Sequence, residues 1–234
     1  MRFALPFMLI LTLSTSLWAD GVTELQASLQ RLQGHTLVKA EVACTLHQEH
    51  RTLLTPVVQE HAWQLQVGED EAGLHVDWNR PSHDLATPEA LRGLDAVALD
   101  DLLNQGAGLS HLIASATFAG ESRDAYLGKE VRVLTFTCKP RVLTQHQGRV
   151  TQAGSTLKVW VGDDGAPLAT EFLVDYNGRY SRLYGRIQSH SLVKTTYAVM
   201  GHRLVVASRI SEEDLYDYGD LLKRRRTLTL TQRG

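Results

Sequence analysis

The chain has 234 residues, with 24 lysines and arginines against 26 aspartates and glutamates, which gives a formal net charge of −2. This balance argues against a nucleic-acid-binding protein, since such proteins carry a basic surface that neutralises phosphates. Hydrophobic residues make up 43% and charged residues 21% of the chain, which is typical of neither a disordered chain nor a membrane bundle. The length predicts a single domain over residues 20–234, with ample room for a core.

Residues 1–19 are predicted to be a signal peptide. Arg2 supplies a positive start, residues 3–13 form an apolar run, and residues 14–19 lead to a cleavage position after Ala19. The apolar run is short for a membrane span, and an uncleaved anchor is the alternative interpretation. We therefore expect an exported, periplasmic protein with no transmembrane segment in its mature chain.

The first mature segment has a helical pattern. Thr23 begins a capping-box sequence, which predicts a helix that starts there, and Gly34 is placed to end it. The helix carries an apolar stripe on one face, so it needs a sheet on which to pack.

Two cysteines, Cys44 and Cys138, both fall in strand-like segments. In an oxidising compartment such a pair predicts a disulfide. Closing this loop would remove about 4–5 kcal/mol of unfolded-chain entropy in the simple model. The alternative is two free, buried thiols, and the spacing excludes a CxxC redox motif.

A second helical tract spans residues 87–118. Thr87 is its predicted N-cap, with a proline at the first helical position. The Gly-Ala-Gly sequence at residues 106–108 predicts a break into two helices. These helices act either as a hinged lid or as a static cover over a sheet.

Most of the remaining chain alternates apolar and polar residues with the period of a β-strand. The clearest example is residues 156–180, where two alternating segments flank the Gly-Asp-Asp-Gly sequence of residues 162–165, a turn that tolerates positive φ. Such segments predict roughly nine or ten strands and two or three helices. A long antiparallel sheet with one apolar face must close or be covered. We therefore predict an α+β fold, a curved antiparallel half-open β-barrel covered by two or three helices.

A curved sheet under few helices leaves room for an apolar cavity, the usual form of a site for an apolar ligand. Taken singly, an aromatic residue on a strand is more often ordinary core. The candidate residues of the cavity wall are Trp63, Trp78, Leu102, Leu112, Phe118, Trp160 and Phe172.

Three short segments carry a further signal, namely residues 74–81 (LHVDWNRP), 133–140 (VLTFTCKP) and 157–165 (LKVWVGDDG). The first two resemble strand-ending segments of the LolA/LolB-like periplasmic lipoprotein carriers, and the third is similar to that family's next hairpin. The resemblance implies a half-open β-barrel lidded by helices, which holds lipid or lipoprotein acyl chains in an apolar cavity. Residues 82–92 are predicted to be helical where the carriers have a hairpin, so no lid-locking arginine is carried over. The alternative prediction is a non-enzymatic protein-interaction or envelope-sensing module of the same fold, which would bind a protein partner.

The pattern predicts neither catalysis nor a cofactor. Ten histidines are scattered along the chain, and His47 and His50 would face opposite sides of a strand, so no metal site is expected. There is no Gly-x-Ser-x-Gly motif and no phosphate-binding glycine loop. Asp100 and Asp101 point about 100° apart on a helix and make no carboxylate pair. We therefore predict that the protein is not an enzyme.

One charge cluster stands out, the Lys-Arg-Arg-Arg sequence of residues 223–226. It is a candidate for docking on anionic lipid headgroups or on an acidic partner protein. The alternative is a solvated strand segment, or one that protects the edge of a sheet.

Overall fold

In the computed structural model the described residues are 11–34, 37–52, 55–70, 73–78, 96–140, 142, 146, 149–179, 185–217 and 219–232. Within these ranges the chain forms three helices and ten strands. The helices are α1 (Leu11–Arg31), α2 (Ala96–Leu103) and α3 (Gln105–Ala114). The strands are β1 (Lys39–Arg51), β2 (Pro56–Asp70), β3 (Gly73–Trp78), β4 (Thr117–Tyr126), β5 (Lys129–Thr137), β6 (Val150–Val161), β7 (Pro167–Arg179), β8 (Arg186–Met200), β9 (Arg203–Asp217) and β10 (Asp220–Gln232).

All ten strands belong to one antiparallel sheet with the order β3-β2-β1-β10-β9-β8-β7-β6-β5-β4. Neighbours in the sheet are also neighbours in sequence, except that β1 pairs with β10. The described strands leave the sheet open, with β3 and β4 at its edges, and α2 and α3 lie between these two strands in the chain. The predicted open antiparallel sheet with few helices is therefore confirmed in outline.

The predicted hairpin at residues 156–180 is confirmed by β6 and β7. Leu157, Val159 and Val161 are buried, and Lys158 between them is exposed, as the period of two requires. In the turn, the Gly165 N–H donates to the Gly162 carbonyl at 3.0 Å, and Gly165 has a φ of 78°. Glycine adopts this conformation without steric cost, so the turn sequence sets the register of the hairpin.

One face of the sheet, called the inner face below, is covered by the helices. α1 packs against α3, and both α2 and α3 contact β9. The buried cluster that includes α2 is Val38, Ala40, Val42, Cys44, Leu65, Val67, Leu99, Leu102, Leu103, Val206, Leu228 and Leu230. The buried cluster that includes α1 and α3 is Leu25, Leu29, Leu109, Ile113, Leu134, Phe136, Cys138, Leu157, Val159, Val161 and Leu204. Burial of each such leucine contributes about 1.5–3 kcal/mol, which holds the helices on the sheet.

The predicted helix start at Thr23 is wrong. α1 is continuous from Leu11 to Arg31, so Thr23 lies inside it and the capping-box pattern does not mark its beginning. Gly34 lies beyond the helix, where its N–H donates to the His202 carbonyl at 2.8 Å. A Cβ at residue 34 would lie 2.7 Å from the Cβ of His202, so this glycine permits a close approach of the chain to β9. Within the described residues, no helix combines the length and the apolar character needed to cross a bilayer.

The second helical tract differs from its prediction at its break and at its end. Its predicted start at Thr87 lies outside the described residues. The break between α2 and α3 falls at Asn104, and Gly106 lies inside α3. A Cβ on Gly106 would lie 2.6 Å from the carbonyl oxygen of Leu32, so this glycine permits close packing of α3 on the end of α1. Phe118 belongs to β4 because α3 ends at Ala114.

The expected disulfide is absent, because Cys44 and Cys138 are both free and buried. Cys44 lies on β1 in the cluster that includes α2, whereas Cys138 follows β5 in the cluster that includes α1 and α3. Five strands separate β1 from β5 in the sheet. The alternative interpretation of free, buried thiols therefore describes this structure.

Arg203, at the start of β9, ties the sheet to the junction between α2 and α3. Its Nε donates to Asn104 Oδ1 at 2.8 Å. Its two terminal nitrogens donate to the two carboxylate oxygens of Glu69 on β2, with Nη2 at 3.2 Å from Oε1. A guanidinium and a carboxylate paired through two hydrogen bonds hold a defined geometry. The network therefore positions the helix junction relative to β2 and β9.

Candidate functional site

A groove of about 650 Å³ opens between the helices and the inner face of the sheet. Helices α2 and α3 form one wall, and strands β6 to β9 form the floor. The wall consists of Asp101, Gln105, Gly108, Leu109, His111, Leu112 and Ser115. The floor consists of Leu157, Thr170, Phe172, Val193, Thr195, Tyr197 and Arg209. The groove is thus continuous with the core and is built from residues that are distant in sequence.

Two rows of residues that face each other across the strands divide the floor into an apolar and a polar part. The apolar row takes one residue from each of β6, β7 and β8, namely Leu157, Phe172 and Val193. The polar row takes one residue from each of β7, β8 and β9, namely Thr170, Thr195 and Arg209. Residues two apart on one strand share a face, so both rows lie on the inner face.

The polar part of the groove brings together a cation, an anion and two hydroxyl groups. Arg209 Nη1 lies 3.5 Å from Asp101 Oδ2, which links β9 to α2. The hydroxyl groups of Tyr197 and Thr170 lie 2.8 Å apart. Burial raises the pKa of the Tyr197 phenol, so this group stays neutral at physiological pH and retains its hydrogen-bond donor.

A bulge places Arg209 on the inner face. Tyr197 pairs with Val206 and Thr196 with Ser208, so Ala207 has no partner on β8. The extra residue changes the alternation of β9, and Val206 and Arg209, three residues apart, both reach the inner side. Without the bulge, a strict period of two would turn the arginine outward.

The structure brings two of the seven predicted wall residues into the groove, Leu112 on α3 and Phe172 on β7. Leu102 is buried in the cluster that includes α2. Phe118 packs with its ring edge against Phe136, with 5.6 Å between the ring centroids. Neither of these two residues lines the groove.

Of the three tryptophans of the predicted wall, Trp63 and Trp160 lie elsewhere, and the side chain of Trp78 lies outside the described part of the structure. Trp63 is partly buried against the cluster that includes α2. Trp78 lies on β3 opposite Leu65 in the register of the sheet. Trp160 alternates with the buried Val159 and therefore lies on the outer face, where its indole N–H donates to Asp124 Oδ2 at 3.2 Å. The aromatic character of these residues did not reveal their face.

Sequence reasoning missed the polar floor of the groove. Arg209, Thr195 and Tyr197 belong to strand-like segments that carry no motif, and Asp101 belongs to an aspartate dipeptide whose side chains diverge on a helix. A charged residue within a segment otherwise suited to burial was the available sign. The sequence does not reveal the bulge or the cross-strand register, so it does not show on which face of the sheet the charged residue lies.

The histidines of β1 are paired with carboxylates. His47 Nδ1 lies 3.1 Å from Glu60 Oε1, and His50 Nε2 lies 3.9 Å from Asp220 Oδ2. Throughout the described ranges, no group of three or more His, Cys, Asp or Glu side chains is arranged to hold a metal ion.

Three of the four residues of the basic run on β10 lie opposite acidic residues on β9, and the fourth, Arg226, lies opposite Ser211. Lys223 lies 3.7 Å from Asp214, and the register pairs the next two arginines with glutamates in the same way. Those two pairs are Arg224 with Glu213 at 3.3 Å and Arg225 with Glu212 at 3.4 Å. Since β10 lies between β1 and β9, the run does not protect an edge. Its charge is largely compensated within the sheet.

No protein-family model matches the chain, and no curated protein matches it. Among solved structures it is similar to a DUF1329 family protein from Desulfovibrio piger, with 12% sequence identity and a TM-score of 0.36 over 91% of this chain and 90% of that chain. A similarity at this level carries no argument about the fold or the function.

Proposed function

We propose that this protein is a non-enzymatic binding or carrier protein that holds acyl chains in the groove. The observation that carries the proposal is a groove of about 650 Å³ with apolar residues on its wall and its floor, among them Leu112 on the wall and Phe172 on the floor. This volume lies within the range of about 300–1,000 Å³ typical of ligand sites. Each methylene group transferred from water to such a surface contributes about 0.8 kcal/mol, so affinity for a chain needs no covalent step.

The proposed setting is the periplasm, after removal of residues 1–19. Support comes from the N-terminal sequence, in which Arg2, an apolar run and Ala19 follow the order of a signal peptide. The resemblance to the LolA/LolB-like carriers favours a lipid or lipoprotein as the source of the acyl chain. In this proposal residues 20–234 act as one domain.

The second candidate is an interaction or envelope-sensing module that contacts another protein. The observation that favours it is the exposure of Val57 and Val58 on β2, at 51% and 57%. Because neighbouring residues on a strand point to opposite faces, a partner that contacts both valines would have to pack on both sides of β2. The basic run of β10 is a weaker candidate for this contact, because acidic residues of β9 lie opposite it.

A pair of neighbouring substitutions on β8 tests the acyl-binding proposal. Val193→Trp fills the groove from its floor, whereas Leu192→Trp places the same bulk on the opposite face of the strand. The protein and both variants are purified from the periplasm and analysed by native mass spectrometry and lipid extraction. We expect acyl lipid with the natural protein and with Leu192→Trp, and its loss with Val193→Trp.

The two candidate functions give different results in this experiment. If the natural protein carries no acyl lipid and takes up no added dodecyl compound, the carrier proposal is wrong. The interaction module then becomes the better explanation, and substitution of Val57 and Val58 by serine should weaken binding to the partner.

A further inference from the structure

We propose that the groove selects amphiphiles with an oxyanion headgroup, a carboxylate or a phosphate, and that Arg209 binds this headgroup. The inference rests on the proposed function, because it names the chemical class of the acyl ligand held in the same groove. It makes Arg209 the specificity-determining residue of the site.

The first support is that Arg209 has more hydrogen-bond donors than its described neighbours satisfy. A guanidinium carries five N–H donors in a planar fork. Among the described residues, Asp101 Oδ2 is the one acceptor, 3.5 Å from Nη1. The Nε atom is buried and has no acceptor within the described part of the chain. Buried charged donors are normally paired, so this guanidinium is suited to an acceptor that the described part of the chain does not provide.

Asp101 compensates this charge only weakly. Its distance from Nη1 is at the outer limit for a hydrogen bond, and its side chain is 50% exposed on α2. Solvent therefore screens the ion pair. A ligand oxyanion that replaces Asp101, or binds beside it, would form shorter charge-assisted hydrogen bonds to the same fork.

The second support is the position of Arg209 relative to the apolar row. Thr195 lies opposite Arg209, and Val193 is two residues further along the same strand and the same face. That step along a strand is about 7 Å. An acyl chain whose headgroup contacts Arg209 would therefore pass onto Val193 and then Phe172, which lies opposite Val193. Charge and apolar surface thus follow the order of a headgroup and its chain.

The test compares ligands with the same chain and different headgroups. The natural protein is titrated by calorimetry with dodecanoate, dodecyl phosphate and dodecanol, each below its limit of aggregation. We expect the two anions to bind about 10- to 100-fold more tightly than dodecanol, the range supplied by hydrogen bonds to a charged group. A preference between the two anions supports the proposal and identifies the headgroup as carboxylate or phosphate.

Three variants assign the effect to a residue. Arg209→Gln should lower the affinity for both anions about 10- to 100-fold, and more than it lowers the affinity for dodecanol. Asp101→Asn should raise the affinity for the anions, because it removes the competing carboxylate. Arg225→Gln, on the outer face beside Glu212, is the matched control and should leave all affinities unchanged. If Arg209→Gln does not fold, the headgroup series and Asp101→Asn still decide the question.

Failure of the inference and failure of the proposed function give different results. Equal binding of all three dodecyl compounds, with no effect of Asp101→Asn, overturns the role of Arg209 and leaves acyl binding intact. Absence of binding for all three compounds overturns the proposed function, and the inference with it.

Discussion

Strand β9 meets the helices at two arginines in very different surroundings. Arg203 is 1% exposed and donates to both Glu69 and Asn104, whereas the side chain of Arg209, six residues along, is 21% exposed and contacts Asp101 at 3.5 Å. The first has its charge compensated by the fold. The second faces a groove and has its charge compensated incompletely. The comparison separates a cation that serves the scaffold from one that is available to a ligand.

The largest expected effect is on stability at the Arg203 end. Arg203→Met leaves Glu69 without its bidentate partner, and removal of one member of a buried ion pair costs about 3–5 kcal/mol. Arg209→Met is the matched substitution and should change the free energy of unfolding by less than about 1 kcal/mol. Urea denaturation of the two variants measures both values. Equal losses would remove the distinction between the two arginines.

The next effect concerns α3, the helix that begins beside Arg203 and lines the groove near Arg209. Gly106→Ala brings a Cβ to 2.6 Å from the Leu32 carbonyl oxygen, so α3 must move away from α1, and we expect a loss of about 1–3 kcal/mol. In Gly108→Ala the nearest atom is a side-chain oxygen of Asp101 at 3.3 Å, which is able to shift. This control should be neutral or stabilising by up to about 1 kcal/mol, since alanine favours helix. If Gly108→Ala is destabilised as well, the groove wall at Gly108 is packed as tightly as the contact between Gly106 and Leu32.

A third effect is expected on the reactivity of Cys44, a buried thiol at the end of the polar row. The row continues from Arg209 through Leu228 to Cys44, where burial raises the thiol pKa to about 12. The folded protein should therefore resist alkylation at pH 8, whereas the unfolded chain, with a thiol pKa near 9, reacts. The Cys44 thiol of the folded protein keeps its proton to a higher pH than the thiol of the unfolded chain. The free energy of unfolding should therefore fall as the pH rises from about 9 towards 12, and Cys44→Ala should make this fall less steep.

The same labelling experiment tests the free thiols directly. Protein denatured without reductant should accept two carbamidomethyl groups, one at Cys44 and one at Cys138. A mass that shows no labelling would mean that the two residues are joined after all. Rapid labelling of Cys44 in the native state would contradict its burial.

The smallest effect is expected on the outer face of the sheet. Arg225→Gln breaks an exposed cross-strand pair with Glu212 and should cost about 0.2–1 kcal/mol, with a loss that shrinks at high salt. Thermal melts at low and high ionic strength measure it. A loss as large as that of Arg203→Met would show that the ion pairs between β9 and β10 also contribute strongly to stability.

The parts of the fold that sequence predicted are those that depend on local pattern. The β6–β7 hairpin follows from alternation and the glycines of its turn, and the antiparallel sheet follows from many such segments. The helix break was misplaced because Gly106 serves a close contact with α1, and that contact is invisible in sequence.

The site was predicted only in part, and for a similar reason. Leu112 and Phe172 lie in the groove, whereas Trp160, an aromatic strand residue predicted for its wall, alternates with Val159 and lies on the outer face. Arg209 reaches the inner face through a bulge that depends on pairing with β8. The polar half of the groove therefore depends on long-range register, which no local pattern encodes.

The pairing of β1 with β10 has a consequence for how the molecule assembles. Strands β4 to β10 are joined by short-range hairpins, whereas β1 to β3 meet that meander only through β10 among the described strands. Contacts between such distant segments close late and slowly. During synthesis the β1–β3 unit must therefore wait, with one edge unpaired, until residues 220–232 have been made. A chain delayed in this way keeps an open strand edge until its synthesis is complete, so it is exposed to aggregation for longer.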